Sequence, residues 1–461
     1  MTLANFAAPW RHPHTQTIVR IISDNVDYPI SIIRTADPKV FICGIPSPKT
    51  DEMSACQFIP PLKTERIRSS SFKLIQNKAM SQERVLAHSN FSLTAARQIV
   101  KDHFKPNPWI YWADFLGSYG LGIFCFQKVR GGTMLTPHQG ITGELSQVFF
   151  FFATCLLFYR CALFIHEVVH HRNGSLPVFR FVWNLLCGVP FLMPSFVYYT
   201  HIDHHRRSHY GTDHDGEYLA LVKRGPWYIV YYLSWCLVIP AFAVARFLIL
   251  TPIAWTVPGA RAFIHKHASS MVMDPTYIRP LPTRATMRVI YWQEAACFAW
   301  CLGIAIVPPV FLGRWPIPFL VHAYAMAVVI VLLNSIRTLG SHRWANSGEE
   351  MTFVDQLVDS VNFPNSPLTS ELWAPVGCRY HALHHLFPSM PYHQMGKAHQ
   401  RLMAELPEDS PYRLTVGRSL PAVLMTLWRR SRHGDEPTTR GKMLRIPGRS
   451  QRQRPTSVKN T

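Results

Sequence analysis

Three histidine-rich stretches set the strongest constraint on this chain. His166-Glu167-Val168-Val169-His170-His171 reads H-x-x-x-H-H. His201-Ile202-Asp203-His204-His205 and His381-Ala382-Leu383-His384-His385 both read H-x-x-H-H. On a helix, residues three and four apart share a face, so each stretch can aim two or three imidazoles at one point. Neutral imidazole is a strong ligand for first-row transition metals, and three such stretches together can hold more than one ion. Each lies just beyond, or a short way beyond, a strongly apolar run.

The apolar runs decide the fold class. Only 16% of residues are charged, against roughly 25% in soluble domains, and the apolar residues are bunched. This pattern predicts an integral membrane protein with polar ends. The net charge of +20 is concentrated at the C-terminus, where Arg429 to Thr461 carries ten Lys/Arg against Asp435 and Glu436. Beside membrane spans, such a segment is read as a cytoplasmic, lipid-facing tail and not as a nucleic-acid binder. The ten cysteines contain no C-x-x-C pair. Cys155, Cys161, Cys236, Cys297 and Cys301 lie within apolar runs, as buried hydrophobes do. No cleavable signal peptide is visible at the N-terminus.

Residues 1–85 show no sustained period and are expected to be poorly ordered, with Met80 as an alternative start. Residues 86–428 form the membrane domain, and 429–461 a basic disordered tail. Ser92 opens a capped amphipathic helix ended by Pro106 and Pro108. Trp109–Phe126 and Val148–Ile165 read as two spans, with Arg160 reaching toward the headgroups. Val289–Leu312 and Ile317–Asn334, joined by Gly313-Arg314-Trp315-Pro316, read as two more. Val178–Tyr199 and Trp227–Trp255 are broken by prolines. If the histidine stretches are to meet, neither of these broken segments makes a net crossing. Between Arg261 and Arg288 five basic residues face one acid, Asp274, so that loop is cytoplasmic by the positive-inside rule. The expectation is an all-α integral membrane fold. It has four transmembrane helices in two hairpins, a histidine-rich helical cap, and cap and termini in the cytoplasm.

His166-Glu167-Val168-Val169-His170 also matches H-E-x-x-H, the zinc peptidase pattern with Glu167 as base. That reading leaves the two H-x-x-H-H stretches unexplained. Together the three stretches resemble the histidine boxes of the membrane-bound fatty acid desaturase family. His384-His385-Leu386-Phe387-Pro388-Ser389-Met390-Pro391 is similar to that family's third-box continuation. The resemblance covers roughly Ser92 to Leu406. It implies a non-haem di-iron centre that uses O2 to abstract hydrogen from an unactivated acyl C–H, hence a desaturase of acyl-lipid or acyl-carrier substrates. Relatives with similar boxes act as lipid hydroxylases or carotenoid-type oxygenases, and the boxes do not separate these outcomes. Breaking such a bond requires a redox metal; an imidazole-rich shell suits iron, whereas zinc has no redox role.

The resemblance assigns ligand roles to His166, His170, His201, His204, His205, His381, His384 and His385. His171 is either a ligand or a donor to one. Family members related to acyl-CoA desaturases use a further histidine after the second membrane hairpin, a place His342 occupies here. The asparagine they carry four residues earlier is Thr338 in this chain, and Asn346 stands four residues after instead. Glu167 and Asp203 are either orienting carboxylates or solvated acids. His209, His214, His393 and His399 are read as surface residues, and His265 and His267 need no function. No catalytic residue beyond the metal ligands is assigned. With no H-P-G-G segment and no Gly-rich dinucleotide fingerprint, the family implies an external donor: a ferredoxin or a cytochrome b5 type with its reductase. Basic cytoplasmic loops would suit such an acidic donor.

Overall fold

The computed structural model describes residues 91–129, 143–171, 176–346 and 348–433, together with the backbone of two strands. The chain divides into two compact units, Met1–Arg84 and Val85–Thr461. In the first, Ile30–Arg34 pairs antiparallel with Val40–Gly44. These are the short β-branched runs in which no helical period is found, and a ribbon is what such residues favour. The rest of 1–85 and residues 434–461 lie outside the described residues. In the second unit every named element is helical.

Local sequence sets the helix starts. Ser92 accepts from the Ala95 N–H at 3.2 Å and opens Leu93–Ile99. Asn107 caps Pro108–Lys128 by accepting from the Trp109 N–H, with Pro108 in the first turn, where its missing N–H costs nothing. Pro108–Lys128 packs along Glu144–His170 through Tyr111, Phe115 and Phe164. Gly122 permits the close approach, since a Cβ there would lie 2.6 Å from the Phe158 ring. Arg160 does not reach for headgroups. Its Nε and Nη2 each donate to Asp114 at 2.6 Å, and Tyr392 Oη donates to the same carboxylate at 2.7 Å. A neighbouring carboxylate inside the bundle is a better partner than a distant interface.

Among the described residues four helices are long and apolar enough to cross a membrane: Glu144–His170, Ile239–Thr256, Arg284–Leu312 and Ile317–Ser341. Three coincide with expected spans. Pro108–Lys128, also expected to span, is a 21-residue helix but is not among the four. Asp114, three glycines and Lys128 dilute its apolar character. Ile239–Thr256 takes the fourth place, because Pro240 and Pro252 fall in first turns and the backbone continues through a π-turn at Arg246–Leu250.

Residues 226–261 nevertheless double back. Tyr232 packs with Leu339 near the end of Ile317–Ser341, and Tyr324 Oη, near the start of that helix, donates to Leu237 O. The chain then returns along Arg284–Leu312. Arg246 pairs with Glu294, the Trp255 and Tyr291 rings pack in a tilted arrangement with centroids 5.3 Å apart, and Arg261 reaches Met287 Sδ in the first turn. The other broken segment becomes Pro177–Trp183, a π-turn at Asn184–Gly188 and a 3-10 turn at Ser195–Tyr198. Asn184 bridges it, accepting from the Ser195 N–H and donating to Arg180 O, each at 2.8 Å. That bridge delivers the chain directly to His201.

Candidate metal centre

Four elements bring the histidines together. His166 and His170 occupy the last turns of Glu144–His170, one helical turn apart. His201 and His204 form the short helix that His205 ends, and His381, His384 and His385 line His381–Leu386. His342 follows Ile317–Ser341 in extended conformation, bridged to Ser360. All nine are buried or nearly so.

They sort into two groups. His166, His170, His201, His205 and His384 form one; His204, His342, His381 and His385 form the other. Within each, the ligand nitrogens lie within 4.8 Å of one another and could hold a metal ion. In the first group His205 Nε2 stands 3.0 Å from His201 Nε2 and 2.9 Å from His384 Nε2. In the second, His381 Nε2 stands 2.8 Å from His342 Nε2 and 3.0 Å from His385 Nε2. The groups adjoin where the His205 and His385 rings approach to 4.3 Å.

Carboxylates and tyrosines set the tautomers. His204 Nδ1 donates to Asp215 at 2.8 Å, and Asp215 is also held by the Gly211 and Glu217 N–H groups. His201 Nδ1 lies 2.9 Å from Glu217. Asp359 accepts from Tyr210 Oη at 2.8 Å and Tyr218 Oη at 3.1 Å. With its one proton on Asp359, the Tyr210 oxygen accepts from His342 Nδ1 at 2.8 Å. His204 and His342 therefore present Nε2 lone pairs inward, only 3.3 Å apart. Facing lone pairs repel unless a cation lies near them. A single proton can bridge one such contact, but not four converging nitrogens. Both ring nitrogens of His166, and Nε2 of His170, are buried with no hydrogen-bond partner among the described residues. The donor set fits a pair of metal ions.

Electrostatics favour the neutral imidazole at five of these positions. Burial pushes the imidazoles of His201, His205, His381, His384 and His385 well below their ordinary range, which keeps them in the neutral, metal-binding form. His204 goes the other way: burial opposes its charge, but Asp215 beside it holds the imidazole above the usual value. Burial also works against the Asp215 and Asp359 carboxylates, yet His204 and His342 respectively hold them below the usual range. Glu217 is raised by burial to about 8.

Of the ten histidines singled out from the sequence, His171 stands outside both groups. Its Nε2 lies 3.1 Å from Tyr111 Oη and 3.6 Å from Glu167. Glu167 bonds Tyr111 Oη and the Tyr392 N–H, and stands in neither histidine group. It has no general-base geometry toward those histidines. Asp203 pairs with Arg206 at 3.0 Å and faces His209 at 3.6 Å. The orienting carboxylates are thus Asp215, Glu217 and Asp359. Asp215 and Glu217 stand in an acidic run shortly after the second stretch, a usable signal; Asp359 has none. His399, expected at the surface, is 3% exposed and bonds Tyr412 Oη at 2.8 Å. Asn346 donates to Gly211 O and Glu349 O, while its backbone N–H bonds Tyr218 Oη.

Comparison with known proteins gives two positive findings. The fatty acid desaturase family model matches residues 145–416. A ceramide hydroxylase of Caulobacter vibrioides (strain NA1000 / CB15N) is 36% identical over 348 residues, covering 75% of this chain and 95% of the relative. No solved structure matches the chain.

Proposed function

This chain belongs to the fatty acid desaturase family, and we propose that it is a membrane lipid hydroxylase acting on a ceramide-class substrate. The observation that carries this reading is the ceramide hydroxylase, similar along 75% of this chain. The reaction balances as R–H with O2, two electrons and two protons giving R–OH and water. Desaturation, the reading that the family resemblance led to, takes the same inputs but removes two hydrogens and releases two waters. The family model's description keeps it as the second reading.

In this account one iron is held by His166, His170, His201, His205 and His384, and the other by His204, His342, His381 and His385. When bound, the irons supply the oxidising power, drawn from O2, that no side chain has. The protein's own part is orientation. Asp215 and Glu217 hold His204 and His201, Tyr210 and Asp359 hold His342, and the buried shell keeps water out. Electrons come from a ferredoxin or a cytochrome b5 type donor with its reductase. The histidine groups and both termini lie on the cytoplasmic side. The doubling back of residues 226–261 supports this topology, because His204 can meet His342 only if an even number of crossings separates them.

The test is lipid profiling of a ceramide-containing host expressing the protein. Ceramides heavier by one oxygen support the proposal. Ceramides or fatty acids lighter by two hydrogens return the assignment to desaturase.

A further inference from the structure

A second site lies away from the histidines, at the end of the apolar layer. Trp255, Arg261, Arg284, Met287, Arg288 and Tyr291 line an open cavity of ≈ 460 Å³. It sits between the last turn of Ile239–Thr256 and the first turns of Arg284–Leu312, two of the helices apolar enough to cross a membrane. This is the level at which a span leaves hydrocarbon and meets headgroups. Trp and Tyr favour that level.

The charge there is unbalanced. Arg246 and Arg261 share Glu294, with Arg261 Nη2 at 3.1 Å and its guanidinium over the Tyr291 ring at 5.4 Å. Arg284 and Arg288 are exposed and have no carboxylate partner among the described residues. Four guanidinium groups thus meet one carboxylate. The helix that carries Arg284 and Arg288 begins here, capped by Thr283, so its positive end adds to the field. The Trp255 Nε1–H is buried without an acceptor among the described residues. Two free guanidinium groups and a helix N-terminus border one cavity, which the Trp255 ring also lines.

We propose that this cavity binds the phosphate-bearing headgroup of an anionic membrane phospholipid. Arg284 and Arg288 clasp the phosphate oxygens, and the apolar faces of Trp255, Met287 and Tyr291 support the first carbons of its chains. The site is independent of the oxidation chemistry and rests only on the adjoining helices lying in the bilayer.

The experiment uses iron-loaded protein in neutral detergent, with lipid retention read by native mass spectrometry. One phosphatidylglycerol is retained per chain, and phosphatidylcholine is not. In Arg284→Gln/Arg288→Gln, retention falls roughly tenfold or more, while iron content and melting temperature stay at wild-type values. Equal retention of the two lipids, or normal retention in the double variant, overturns the proposal. Glycerol phosphate binding as tightly as the lipid identifies a soluble phosphate as the ligand and also overturns it. So does normal lipid retention in the double variant with a raised KM for an acidic electron-transfer protein, which would assign the arginines to donor docking.

Discussion

His204 Nε2 and His342 Nε2 face each other at 3.3 Å across 138 residues of sequence, each ring anchored through its Nδ1, to Asp215 and to Tyr210. A shared proton or a metal ion relieves the repulsion of two such nitrogens, and His381 and His385 converging on the same point favour the metal. His342 is therefore as much part of the centre as any histidine of the three stretches. His342→Ala should abolish product formation as completely as His384→Ala, with iron content reduced and expression retained. Normal iron and near-normal product in the variant would remove His342 from the ligand set.

The orienting carboxylates give a graded effect. Asp215→Asn keeps the shape but no longer stabilises the His204 tautomer that aims Nε2 inward. Iron affinity or activity should fall about 10–100-fold, measured by iron titration and turnover. Glu167→Gln is the matched control. Glu167 faces Tyr111 and His171 rather than the two groups, so product formation should stay within a few-fold of wild type. Loss of all activity from Glu167→Gln, with Asp215→Asn silent, would favour peptidase-like chemistry.

These two carboxylates show where the sequence was legible. Imidazole spacing is local, so three helical turns could be read directly, and nine of the ten histidines singled out gather into the two groups. His171 does not, since one more residue along the helix turns it toward Tyr111. Asp359 meets His342 through Tyr210 and directly at 3.6 Å, contacts made by tertiary folding that no local pattern encodes. The apolar segments were legible as segments. Which ones qualify as spans depended on proline placement and on partners such as Asp114 for Arg160. The ribbon at Ile30–Arg34 was too short to recognise.

Arg246 and Glu294 form a buried pair, with side chains 7% and 4% exposed. Breaking it from one side leaves an uncompensated charge, so Glu294→Gln should cost about 3–5 kcal/mol, read as a lowered melting temperature in detergent. Replacing both partners, as Arg246→Met/Glu294→Leu, should recover most of that loss. A double variant no more stable than the single one would show that Arg246 does more than neutralise Glu294.

The doubling back of residues 226–261 makes a topological prediction. Reporters fused after His214 and after Lys266 should lie on the same membrane face, together with one after His393. A Lys266 reporter on the opposite face would mean that Ile239–Thr256 makes a net crossing.

The most direct test of the account is turnover of a ceramide by the purified, iron-loaded protein with a reducing partner under isotopically heavy O2. The account predicts one heavy oxygen atom in the product hydroxyl, about two iron per chain, and no turnover after chelation. An unsaturated product free of heavy oxygen would assign the centre to desaturation. Activity supported by one zinc ion without O2 would contradict the account outright.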